Sequence, residues 1–224
     1  MTFSIVARCA ETGMFGVAVS SSSPAVAARC AHARAGVGAV ASQNITDPGL
    51  GARGLDLMEL GARASEAITV LRETAPHIDY RQLTAVDASG QTGFFHGARV
   101  LGTHAHSEVH GAVAAGNILS NHIVPEAMTA AFEATSGHLG DRLIAAMRAA
   151  IAAGGEEGPV HSAGMKIVDQ VPWPVADLRV DWIEDDPIEE LAQLWDLYKP
   201  QLKDYVTRAL DPEAAPSYGV PGDE

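Results

Sequence analysis

Thr2 stands directly behind Met1, at the head of a segment that alternates apolar and polar residues. A second residue this small permits removal of the initiator methionine. Thr2 would then carry a hydroxyl and a free α-amine on one residue. Such an amine titrates at about 7.7–8.0 in peptides, so it can accept a proton near neutrality. A terminal amine acting as base for its own residue's hydroxyl is an acyl-transfer nucleophile. The same threonine can equally be an ordinary strand start, and its weight as a nucleophile comes from the architecture around it.

Other residues could complete such a site. Asn117 follows Gly116 at a strand-to-helix turn, where an amide can serve an oxyanion or a substrate, or cap the turn. Gln43 and Asn44 follow an apolar segment and can line the same cleft or shape a turn. Arg53 lies between glycines, suited to a substrate carboxylate or to an ion pair with Asp47 or Asp56. Ser162 opens a strand and is either a cleft residue or a ladder residue. A rival chemistry is metal-dependent: His104, His106 and His110 read H-x-H-x3-H, and residues two apart share a strand face. No helical H-E-x-x-H or cysteine pair accompanies them, and no metal or cofactor is expected. Cys9 and Cys30 read as small buried thiols. Neither a dinucleotide fingerprint nor a phosphate loop is present.

These residues need elements to hold them. Period-two alternation predicts strands over Thr2–Arg8 and Phe15–Ser20, joined through Glu11-Thr12-Gly13. Gly36–Ser42 is small and apolar, as in a strand covered on both faces. Gln43–Gly54 reads as a long polar connection. Leu55–Leu60 and Ser65–Glu73 read as short helices, with Ser65 as an N-cap. Gln82–Asp87 and Gln91–His96 form a hairpin about Ala88-Ser89-Gly90. Val109–Ala115 is a strand, Ile123–Ala134 and Leu139–Ala153 are helices, and Ser162–Val168 is a strand. Asp186-Pro187-Ile188-Glu189 opens a last helix with Ile188, Leu191, Leu194, Trp195, Tyr198 and Leu202 at helical spacing. Paired strands alternating with paired helices imply an α+β fold, a four-layer αββα sandwich. The expected division is a domain over 1–182, a helical extension over 183–210 and a flexible tail over 211–224.

The chain has 224 residues and a net charge of −13, with 47% hydrophobic residues, enough for a core without disulfides. Residues 181–224 carry −9 of that charge and residues 1–180 only −4. An acidic surface with three lysines (Lys166, Lys199 and Lys203) disfavours nucleic acid and a charged membrane face as partners. No apolar run approaches a membrane span, and Arg8 and Glu11 interrupt any signal-peptide core. A cytoplasmic protein is expected, with a small-molecule substrate. The last helix either folds back or packs on a second subunit, and a homodimer is the expected assembly.

Several segments together resemble a bacterial family of uncharacterised proteins within the N-terminal-nucleophile (Ntn) hydrolase-like superfamily. They are Thr2–Arg8, Gly16–Val19, Pro24–Val26, Gly36–Gln43, Asp47-Pro48 and Gly51–Leu55. They continue with Arg81-Gln82, Val86-Asp87, Gly116–Leu119, Gly154-Gly155 and Asp177–Asp181. The resemblance implies an αββα fold and amide-bond hydrolysis, with Thr2 attacking the carbonyl and water releasing the acyl-enzyme. It also places Ser22 and the residues after Gly154-Gly155 at the site. Members often carry a basic residue where this chain has Ser22, and again where it has Glu157 and Gly158. An oxyanion here would rely on backbone N–H groups or amides, each donor contributing on the order of 3 kcal/mol.

The expected function is therefore hydrolysis of a small amide or related C–N bond. Thr2 and Asn117 would be catalytic, and Gln43, Asn44, Arg53, Ser22 and Ser162 would contact substrate. The missing positive charge motivates the alternative, an inactive binding or structural protein on the same fold.

Overall fold

A computed structural model describes residues 1–222. Ten strands form two antiparallel sheets. The first sheet contains β1 (Thr2–Arg8), β2 (Phe15–Ser21), β7 (Ala105–Val109), β8 (Ala112–Asn117), β9 (Ser162–Val168) and β10 (Ala176–Val180), in the order β10-β9-β2-β1-β8-β7. The second contains β3 (Ala31–Arg34), β4 (Gly38–Asn44), β5 (Arg81–Asp87) and β6 (Thr92–His96), in chain order.

Alternation along the central strands separates three apolar layers. Phe3, Ile5 and Ala7 of β1 face α4 (Val124–Ala134), α5 (Leu139–Ala152) and α6 (Pro187–Tyr198). Val6, Val17, Val19, Ala39, Ala41 and Val86 fill the space between the sheets. Val40, Leu83 and Ala85 turn outward onto α2 (Pro48–Glu59) and α3 (Ala64–Thr74). The result is the expected α+β fold, a four-layer αββα sandwich. The remaining helices are α1 (Ala27–Cys30) and α7 (Leu202–Leu210). No helix among the described residues is long and apolar enough to cross a membrane.

Several boundaries differ from expectation, for local reasons. The Gln43–Gly54 connection is mostly α2, which Asp47 caps by accepting the Gly49 N–H at 3.0 Å ahead of Pro48. Its glycines are packing residues: a Cβ on Gly51 would overlap the His32 ring, and one on Gly54 would meet Val40 at 3.3 Å. Ser65 is not the cap of α3. The Arg63 N–H donates to Glu66 Oε2 at 2.8 Å, and the Ala64 N–H donates to Asp87 Oδ2 at 2.9 Å. Val109 ends β7 and β8 begins at Ala112, the two joined at His110-Gly111 where Gly111 takes φ +83°.

The expected last helix ends at Tyr198 as α6, with Leu202 opening the separate α7, and α6 folds back on its own chain. Ile188, Leu191 and Trp195 are buried, and Trp195 Nε1 donates to Asp141 Oδ1 at 2.8 Å. Its indole occupies the place a side chain at position 140 would need, so Gly140 is what lets α6 seat on α5. Residues 211–222 contain no helix or strand of their own, and the Arg208 guanidinium lies 3.8 Å from the Tyr218 ring centre. The part of the expected tail at Asp223 and Glu224 lies outside the described residues.

Candidate active site at one end of the two sheets

The space between the sheets is apolar over most of its length and polar at one end. The strand registers place that polar end. Across the first sheet, Ser162 lies opposite Ser21, and Thr2 lies opposite Asn117. Across the second, Gln43 lies opposite Gln82, and Gln82 opposite His96. These positions lie on the faces the two sheets turn toward each other. Thr2 is only 5% exposed and Asn117 is fully buried, so the sequence buries polar groups here in preference to apolar ones.

One hydrogen-bond network spans the gap, and fixed acceptors set its directions. Backbone carbonyls only accept, so Gln82 must turn Nε2 toward Gly116 O, at 2.8 Å. Its Oε1 then accepts from Gln43 Nε2 at 2.7 Å and from Asn117 Nδ2 at 3.0 Å. Gln43 Nε2 also donates to Ala115 O at 3.2 Å, and Gln43 Oε1 accepts from Ser4 Oγ at 2.7 Å. Asn117 therefore gives an N–H to Gln82, and its Oδ1 is buried without a partner among the described residues. Gln82 Nε2 lies 3.0 Å from His96 Nδ1, which must accept, leaving the His96 proton on Nε2.

The other flank is a cluster of hydroxyls. Thr2 Oγ1 and Ser21 Oγ both donate to the Met1 carbonyl, and they lie 3.3 Å from each other. Ser21 Oγ meets Ser23 Oγ at 3.0 Å and accepts the Ser23 N–H at 3.1 Å. Ser162 holds the turn after β2, its Oγ donating to Ser23 O at 2.6 Å and accepting the Val26 N–H at 3.3 Å. The Ser22 N–H donates to Glu156 Oε2 at 3.3 Å. Glu156 is 5% exposed, and burial raises its carboxyl to about 7, against a downward pull from the nearby chain terminus. Ile118, next to Asn117, takes φ +50°, a strained conformation for a β-branched residue. It is held by its N–H to Leu101 O at 3.1 Å and by the Glu157 N–H to its carbonyl at 3.1 Å.

The structure thus brings together Thr2, Asn117, Gln43, Ser22 and Ser162. Asn44 borders the group as a brace: at φ +72° its Nδ2 donates to Tyr80 O at 2.6 Å, and its Oδ1 accepts the Leu101 N–H at 3.2 Å. Arg53 lies apart, exposed on α2, with Nη2 donating to Thr74 Oγ1 at 3.1 Å. It pairs with neither Asp47 nor Asp56; Asp56 binds Arg34 at 2.8 Å. Ser21, Gln82, Glu156 and His96 are the members that sequence reasoning missed.

The three histidines of H-x-H-x3-H do not converge. His106 stacks on Phe94 with ring centres 3.4 Å apart, and His110 lies against Gly90 in the opposite turn. His104 and His106 instead lie near His96, with ring centres 5.3 and 5.2 Å away. Among the described residues no group of three or more His, Cys, Asp or Glu side chains is placed to hold a metal ion. Burial, with His106 and His104 adding to it, lowers His96 to about 4. An unfolded histidine titrates near 6.5, so between about pH 6.5 and 4 the unfolded chain takes up the proton and the folded one does not. Stability is expected to fall as pH drops through that window. Unfolding midpoints taken across it should fall less steeply in a His96→Gln variant, whose amide can still accept from Gln82.

Comparison with known proteins follows the same lines. The crystal structure of protein SPO2555 from Silicibacter pomeroyi, a DUF1028 protein, is 30% identical, covers 88% of this chain and 89% of its own, and superposes with a TM-score of 0.82. Two structures of Anbu (ancestral beta-subunit) are far more distant. The Yersinia bercovieri protein is 10% identical, with 91% and 97% of the two chains covered and a TM-score of 0.41. A Gly-1 mutant from Hyphomicrobium sp. strain MC1 is 10% identical, with 92% and 99% covered and a TM-score of 0.44. No curated protein matches the chain. Residues 2–191 match the model described as "Family of unknown function (DUF1028)", and the chain belongs to that family.

Proposed function

We propose that the protein hydrolyses a small amide or related C–N bond with Thr2 as an amino-terminal nucleophile. One observation carries this reading: a threonine hydroxyl heads a central strand at a polar end of the inter-sheet space, with Ser21 Oγ 3.3 Å away and Asn117 opposite. Buried polar groups gathered at one end of a sandwich cost stability, and activity is a reason to retain them. Once Met1 is removed, the Thr2 amine takes the hydroxyl proton and the oxygen attacks the substrate carbonyl; the C–N bond then breaks as the α-ammonium returns that proton to the departing amine, and water hydrolyses the resulting ester to the free acid and the Thr2 hydroxyl. Met1 itself supports the placement, since its carbonyl already lies against both the Thr2 and Ser21 hydroxyls.

The test compares two mass-verified forms, one beginning at Met1 and one at Thr2, on a panel of small fluorogenic acyl amides. Turnover is expected only from the form beginning at Thr2. Equal turnover by both forms would exclude the terminal amine from the chemistry.

A second reading is a binding protein without turnover on the same fold. It is favoured by Glu156, whose buried carboxyl lies beside Ser22 with no lysine or arginine bonded to it among the described residues. A negative charge there opposes an oxyanion. This reading predicts no turnover from either form.

A further inference from the structure

The two flanks of Thr2 share a property the proposed hydrolysis does not use. Asn117 Oδ1 on one side and Glu156 Oε1 on the other are buried and have no hydrogen-bond partner among the described residues. Both are acceptors. The Asn117 orientation follows from the network, because Gly116 O fixes Gln82 and Gln82 Oε1 claims the Asn117 N–H. Asn117 therefore turns an acceptor to its free side, contrary to the expectation that its amide would donate to an oxyanion.

The two oxygens lie about the start of β1. Glu156 pairs with Leu119 beyond the end of β8, and the Glu157 N–H donates to Ile118 O. Glu156 Oε2 meanwhile takes the Ser22 N–H beyond the end of β2. The carboxyl thus crosses from one neighbouring strand to the other, ahead of Thr2. The neighbouring hydroxyl donors are already engaged by the Met1 carbonyl. Among the described residues no lysine or arginine forms a hydrogen bond or ion pair with Glu156 or Asn117. Two positive charges act near the chain start, the Met1 ammonium, which pulls the Glu156 carboxyl down, and Arg29, which with that ammonium pulls down the Cys30 thiol that burial pushes up; neither supplies a hydrogen bond to Glu156 Oε1.

A group that complements two buried acceptors, one of them a carboxyl, carries only donors and a positive charge. A primary ammonium meets that description on the smallest volume. We propose that this end of the sandwich is an ammonium site, and that its occupant is the α-ammonium of Thr2 once Met1 has been removed, with Glu156 and Asn117 as its positioning residues. The proposal rests on the reading of Thr2 as the amino-terminal residue, and it assigns the site's acidic character a purpose. Glu156 holds the nucleophile's own base in register.

The test does not depend on turnover. In protein beginning at Thr2, the α-amine pKa is read from the pH dependence of its acetylation by trace acetic anhydride, with the amino-terminal peptide quantified by mass. The wild-type amine is expected above the peptide range of about 7.7–8.0. Glu156→Gln, nearly isosteric, is expected to lower it by about one unit or more, and Asn117→Leu by less. Thr2→Ala keeps an amine at position 2 and is expected to retain the wild-type value. A failed hydrolysis assay and a failed ammonium site are thereby told apart. Binding of n-butylammonium chloride, followed by calorimetry, separates the two sources of an ammonium. An amine pKa unchanged by Glu156→Gln overturns Thr2 as occupant. If n-butylammonium then binds and Glu156→Gln abolishes that binding, the occupant is a ligand's ammonium instead. If neither responds to Glu156→Gln, the site itself is overturned.

Discussion

Thr2→Ala is expected to lower kcat/KM by at least about 10³-fold on any amide the protein turns over, measured on protein whose mass shows that position 2 is the first residue. Removing the nucleophile of an acyl-transfer enzyme leaves only binding and oxyanion contacts to accelerate the reaction. The substitution deletes Oγ1 and one methyl group from a side chain that is already 5% exposed, so the cost to folding is that of a small cavity. Alanine keeps the α-amine, so a general loss of the terminal base does not explain the fall. Thr2→Ser restores the hydroxyl and is expected to recover most of the rate. Wild-type turnover in Thr2→Ala would remove the threonine from the reaction, and His96 would not replace it as a base through Nδ1, which is committed to Gln82.

Most of this fold was legible because its central elements obey strict periods. The alternation of Phe3, Ile5 and Ala7 against Ser4 and Val6 is the alternation between helix-facing and sheet-facing residues. The alanine-rich run of α5 and the Asp186-Pro187 start of α6 needed only caps and spacing to be found, and Asp186 does accept from the Ile188 and Glu189 N–H groups. What escaped lies at the margins. β3, β7 and β10 are short, and residues such as Arg34, His106 and Arg179 sit where a buried strand would be apolar. They become strands because an already formed neighbour offers them a ladder, which no local pattern records. α2 escaped because three glycines look like loop, and the reason for two of them, Gly51 and Gly54, is a His32 ring and a valine on other elements.

The site divides in the same way. Thr2 and Asn117 are recognisable by type and place alone. Their partnership depends on the register of β1 with β8, and Gln82 enters only through the register of β5 with both neighbours. Glu156 gives no signal at all in Gly154-Gly155-Glu156-Glu157-Gly158, since acids beside glycines are ordinary loop composition. Its burial follows from the bridge to Leu119, a contact between segments far apart in the chain.

Gln82→Leu is expected to cost on the order of 4 kcal/mol, a fall of about 10 °C in Tm for a domain of this size. Leucine nearly preserves the volume, so packing changes little and the loss is one of hydrogen bonds. Gln43 keeps its bond to Ala115 O. Asn117 does not fare as well: its Oδ1 already has no partner, and losing Gln82 Oε1 leaves its Nδ2 without one too. His96 Nδ1 loses its donor while Nε2 is likewise unpartnered. Two buried polar groups are then stranded, at about 1–3 kcal/mol each, and the Gly116 carbonyl loses a side-chain donor. Denaturant unfolding of wild type and variant measures the difference directly. Gln82→Glu separates network from packing. Its carboxylate must turn one oxygen toward Gly116 O, so it is expected to be as damaging as leucine above pH 6 and less so when protonated. A loss below about 1 kcal/mol in Gln82→Leu would mean that Asn117 is not held by Gln82. The direction of its amide, and with it the unpartnered acceptor Oδ1, would then no longer follow from the fixed carbonyl of Gly116.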